Sequence, residues 1–85
     1  MARPNHEGPA EPARFVVVLS CVRGDETRSY RLHPIAGGAE LWRVTESELA
    51  GLQSIKECDF QSSEQVAGVL EELRVSLFAG GWRET

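Results

Sequence analysis

The sequence predicts an α+β domain. Its expected parts are a small antiparallel sheet of three to four strands, one long C-terminal helix packed on one face in a ββ(β)α arrangement, and a short helix near 46–53. Three observations carry this reading. A β-branched run occupies 15–22, polar–apolar alternation follows over 28–35, and valines and leucines recur at helical spacing over 66–77. The first two suit strands and the third suits a helix lying on an apolar surface.

Residues 1–13 contain Pro4, Pro9, Pro12 and Gly8 and almost nothing apolar to bury. Such a segment cannot offset the entropy of ordering, so a flexible tail is expected there, with one domain over 14–85. In the first strand Phe15, Val17, Leu19 and Cys21 alternate with Val16, Val18, Ser20 and Val22. Both faces are largely apolar, which suggests a central strand. Gly24 supplies a turn, and in the next strand Tyr30 and Leu32 point one way while Ser29, Arg31 and His33 point the other. That is the pattern of an antiparallel strand with one face in water.

Gly37-Gly38 marks a second turn and 40–44 a third strand. Thr45-Glu46-Ser47-Glu48 matches a capping box, which predicts the short helix with Leu49 and Leu52 inward and Gly51 weakening it. Alternation over 55–60 is consistent with a fourth strand. Ser62-Ser63-Glu64-Gln65 is a second capping box, and behind it Val66, Val69, Leu70, Leu73 and Leu77 form one helix face. Glu64, Glu71 and Glu72 take the other face, and Gly80-Gly81 ends the helix. Trp82, just beyond, is expected to fold back and staple the helix to the sheet.

At 85 residues there is one core, and a domain of this size buries only about 60% of the surface its unfolded chain exposes. The formal charge of −4 is uneven: residues 1–45 carry +1 and residues 46–85 carry −5. A net-acidic domain repels phosphate backbones, so direct nucleic-acid binding is not expected. Arginine outnumbers lysine eight to one, a bias that suggests a GC-rich genome. The longest apolar run, 15–19, is far too short to span a bilayer, and the first residues lack the apolar stretch of a secretory signal. A cytoplasmic protein without membrane partners is expected. Two cysteines are too few for a disulfide scaffold, so Cys21 and Cys58 are read as buried reduced thiols, with one long-range disulfide as the alternative.

No catalytic, cofactor or metal site is expected. Cys21, Cys58, His6 and His33 lack the close pairing of zinc ligands. His33 is placed facing solvent beside Arg31, with no acid to orient it as a base. Arg23-Gly24-Asp25 reproduces the tripeptide of integrin ligands, but a solvated hairpin turn accounts for the same residues. Two surfaces remain. One is the sheet face with Val16, Val18, Arg31, His33 and Arg43, where arginine beside apolar groups has the composition of interface hot spots. The other is an acidic face of Glu57, Asp59, Glu64, Glu71 and Glu72.

Asp59-Phe60-Gln61-Ser62-Ser63-Glu64-Gln65, a strand end running into a capped helix, resembles a stretch in the anti-CRISPR family of small phage-encoded inhibitors. Members of that family also place an antiparallel sheet before helices. The resemblance covers seven of 85 residues. It implies inhibition of a nucleic-acid-handling complex, by binding or by acidic mimicry. The reading favoured by the residues themselves is a noncatalytic protein-binding module, a small bacterial or phage accessory or regulatory protein or subunit with a protein partner or a second copy of itself.

Overall fold

In the computed structural model, which describes residues 14–85, the elements run β1 (Val16–Arg23), β2 (Glu26–Ile35), β3 (Gly38–Ser47), β4 (Gly51–Phe60), α1 (Ser63–Ala79) and β5 (Arg83–Glu84). The tail expected at 1–13 lies outside the described residues. The strands form one antiparallel sheet in the order β4-β3-β2-β1-β5. The architecture is α+β, with five strands rather than three or four.

The short helix near 46–53 does not form. Those residues are the end of β3, a turn and the start of β4, with Thr45 opposite Gln53 and Ser47 opposite Gly51. The Ser47 hydroxyl accepts the Ala50 amide at 3.0 Å, so a side chain that looked like part of a helix cap closes a hairpin instead. Gly51 sits at φ +73°, a conformation that favours glycine. Leu49 and Leu52 are 98% and 65% exposed, so no core surface was available to hold them as a helix face.

Cross-strand partners share a face of the sheet. One face therefore carries the rows Leu19–Tyr30–Arg43–Ile55 and Val16–Leu32–Leu41–Cys58. Helix α1 covers this face: Leu19, Cys21, Tyr30, Leu41, Phe60, Leu77 and Trp82 form the buried core, with Val66, Val69, Leu70 and Leu73 packed against it. The inward helix residues are those that the 3.6-residue period selects. Gly38 has no room for a side chain, because a Cβ there would run into the Phe60 carbonyl.

The helix entry is capped differently from the expected box. Ser62 makes no side-chain cap bond, whereas the Gln65 side chain accepts the Gln61 amide at 2.9 Å. At the exit, Gly81 has φ +89°, the Gly81 amide donates to Phe78 O at 3.1 Å and the Trp82 amide donates to Leu77 O at 2.9 Å. This pair of bonds is a Schellman motif. It turns the chain back, so that Trp82 enters the core and is only 4% exposed. The guanidinium groups of Arg23 and Arg28 lie 4.6 and 4.4 Å from the Trp82 ring centroid, adding cation–π attraction to its burial. β5 then pairs with Cys21 and Val22 at the outer edge of β1.

Candidate functional site

The sheet face opposite α1 carries the rows Val17–Arg31–Trp42, His33–Glu40–Asp59 and Ser20–Ser29–Val44–Ser54. A bulge in β1 decides which valines belong to it. Register shifts between Val17 and Leu19, so Val17 pairs with Arg31 while Leu19 pairs with Tyr30. Inserting one residue moves every side chain before it to the other face. Val18 is the inserted residue and packs against the helix-side core. Val16, opposite Leu32, also belongs to the helix side. The face away from the helix therefore receives Phe15 and Val17 where plain alternation places Val16 and Val18.

His33 is completely buried, not solvent-facing. Phe15 and Trp42 pack edge-on against its ring, with centroids 5.6 and 6.0 Å away, and Nδ1 contacts the Arg14 carbonyl. A carbonyl only accepts, so Nδ1 carries the proton in that bond. Trp42 and Val44 are buried on the same face. Trp42 Nε1 donates to Glu40 at 2.9 Å, which satisfies the polar edge of that ring. Histidine here is a structural polar group inside a small aromatic cluster.

Over this cluster, the Arg31 guanidinium lies 4.4 Å from the centroid of the Phe15 ring. Phe15 and Val17 remain 42% and 47% exposed. Beside them is an open concavity of about 250 Å³ bordered by Ser20, Thr27, Ser29, Arg31, Glu46 and Leu52. It is smaller than the usual range for small-molecule pockets, about 300–1,000 Å³, and is lined by hydroxyls as much as by carbon.

Other residues singled out in the sequence lie elsewhere. Arg43 sits in the helix-side row and pairs with Glu57 at 3.1 Å, so it does not join Arg31 and His33. The acidic set is divided. Asp59 lies in the row of His33 and Glu40 and pairs with Lys56 at 3.1 Å. Glu64, Glu71 and Glu72 are exposed on α1, and Glu71 pairs with Arg74 at 3.7 Å. Among the described residues, Glu57, Asp59 and Glu71 thus each have a cation beside them. Arg23 of the Arg23-Gly24-Asp25 turn is engaged by Glu26 at 3.2 Å, by the Gly80 carbonyl and by the Trp82 ring. It is a structural anchor.

Cys21 is buried and Cys58 half-buried, both as free thiols, and burial raises the pKa of each above the ordinary thiol value. Neutral thiols are poor nucleophiles and poor metal ligands. Among the described residues no group of three or more histidines, cysteines or carboxylates is placed to hold a metal ion. No helix among them is long and apolar enough to cross a membrane. The exposed residues of this face that sequence alternation misses are Phe15 and Val17; an aromatic at the mouth of a β-branched run was the available signal, and the bulge hid its face. Comparison of the chain with protein families, with curated proteins and with solved structures finds no match.

Proposed function

We propose that this chain is a noncatalytic protein-binding module, a small bacterial or phage accessory or regulatory protein or subunit, and that it engages a protein partner through the sheet face opposite α1. The observation that supports this most is the Arg31–Phe15 stack with Val17 beside it: a cation on a half-exposed ring, next to a hydroxyl-lined hollow. Arginine and aromatic side chains are favoured at interface hot spots, because they bury much area and lose little side-chain freedom when held in place beforehand. The stack fixes both groups before a partner arrives. Burying the exposed remainder of Phe15 and Val17 contributes about 1 kcal/mol each, which a few adjacent hydrogen bonds supplement.

The test compares the full chain with Val17→Glu/Arg31→Glu and with Glu64→Lys/Glu72→Lys as baits in crosslinking and mass spectrometry from a bacterial host. The expected outcome is a partner held by the full chain and by the helix variant but lost with the sheet-face variant, whose circular dichroism stays native. Val17 is the appropriate choice because Val18 lies in the helix-side core. Loss with the helix variant, together with steep weakening by salt, would overturn the sheet-face reading. It would favour an anti-CRISPR-like inhibitor whose carboxylates mimic nucleic acid.

A further inference from the structure

We propose that the outer edge of β4 from Gly51 to Ile55 pairs with the same segment of a second copy of this chain, antiparallel, about a two-fold axis at Gln53. Strand β4 ends the sheet, and among the described residues no strand pairs with its outer side. Every residue from Gly51 to Glu57 is exposed. An outer strand leaves a row of main-chain N–H and C=O groups that another strand can complete.

The two halves of β4 differ in how they meet that hazard. Lys56, Glu57 and Asp59 place charge along the second half, and Glu57 is an extra residue there, since Leu41 pairs with Cys58 and Trp42 with Lys56. Charge and a bulge are devices that discourage edge pairing. The first half, Gly51-Leu52-Gln53-Ser54-Ile55, has neither. Leu52 and Ile55 are 65% and 45% exposed within it.

The occupant follows from the same five residues. A two-fold antiparallel ladder sets a segment against its own reverse, so any charge at its centre faces its like. The uncharged stretch between the hairpin turn and the bulge is centred on Gln53. Pairing there sets Gln53 against its copy, Leu52 against Ser54 and Ile55 against Gly51. Each Leu52 also lies diagonal to the other Leu52, within reach across the seam. Residues 51–55 carry no charge that self-pairing would set against its like, and the stretch is bounded on both sides so that it is centred on one residue, which is what a two-fold ladder with a second copy requires. The result is a continuous ten-stranded sheet. This inference does not rest on the partner-binding reading, although Leu52 borders both the seam and the hollow of that face.

A five-residue ladder is small, so association is weak, and sedimentation velocity on the full chain should extend to about 500 µM. The expected result is a concentration-dependent dimer for the unaltered chain and for the neutral control Gln53→Thr. Gln53→Lys alone and Gln53→Glu alone should each be monomeric with native circular dichroism, and an equimolar mixture of the two should restore the dimer. A chain that stays monomeric at every concentration, a dimer that survives either charged variant, or a mixture that fails to reassociate overturns the proposal. The first outcome, combined with binding of an unrelated extended peptide to β4, would assign the edge to a foreign strand instead.

Discussion

The two edges of the sheet meet solvent in opposite ways. On the β1 side the C-terminal residues return from α1, β5 pairs with Cys21 and Val22, and Trp82 sits in the core under Arg23 and Arg28. On the β4 side ten residues form the outer strand, with Leu52 and Ile55 exposed along it. A chain with one helix can carry its Schellman turn to one edge only. The far edge then depends on charge and a bulge, which protect half its length. Core packing reaches the closed edge through Trp82, and the open edge is where the proposed pairing of two copies takes place.

The largest effect should come from opening the closed edge. Trp82→Ala removes a core aromatic and both stacking arginine contacts, and should cost about 3–5 kcal/mol. For a domain stable by about 5–15 kcal/mol that is a large share, and the urea midpoint should fall accordingly. Leu52→Ala, at the open edge, should move the midpoint by no more than about 0.5 kcal/mol equivalent. Comparable losses in the two variants would break the comparison, because they would show Leu52 to be part of the folding core.

How much of this contrast is legible in the sequence depends on the range of the signal. The valine run of β1, the alternation of Tyr30 and Leu32 with Arg31 and His33, and the 3.6-residue spacing of Val66, Val69, Leu70, Leu73 and Leu77 are local, and each element formed where those patterns predict. The return of Trp82 follows from Gly80-Gly81 and an aromatic just past a helix end. Thr45-Glu46-Ser47-Glu48 misleads for the same reason: a capping box is read from polar side chains able to bond nearby amides, and here the Ser47 hydroxyl bonds the Ala50 amide to close a hairpin turn instead. What chose the hairpin is the register of β3 with β4, which is a tertiary property. The candidate site was half legible. Arg31 lies on the expected face, but the bulge at Val18 exchanges Val16 and Val18 for Phe15 and Val17, and Phe15 then buries His33. One unpaired residue reverses a face assignment, and no periodicity announces it.

The smallest effect sharpens the comparison through the two thiols, one at each edge. Cys21 lies under the β5 side, 3% exposed, and Cys58 is half-buried on β4. Desolvation is the main cause raising both pKa values, with Glu84 adding for Cys21 against a lowering by Arg28, and Glu57 and Asp59 adding for Cys58. A raised folded pKa means that the fold prefers the neutral thiol. The stabilisation is complete below the ordinary value of 9.0 and is lost as pH rises through the folded value, so the denaturant midpoint should decline in that alkaline range. Thiol labelling separates the edges at pH 8. Cys58 should react faster than Cys21, because Cys21 becomes accessible only when β5 and Trp82 leave the edge of β1. A milder variant, Trp82→Phe, which keeps an aromatic in the core, should therefore speed labelling of Cys21 and leave Cys58 unchanged. If both thiols accelerate together, the two edges open as one unit, and the closed edge owes its protection to the whole sheet rather than to the C-terminal clamp.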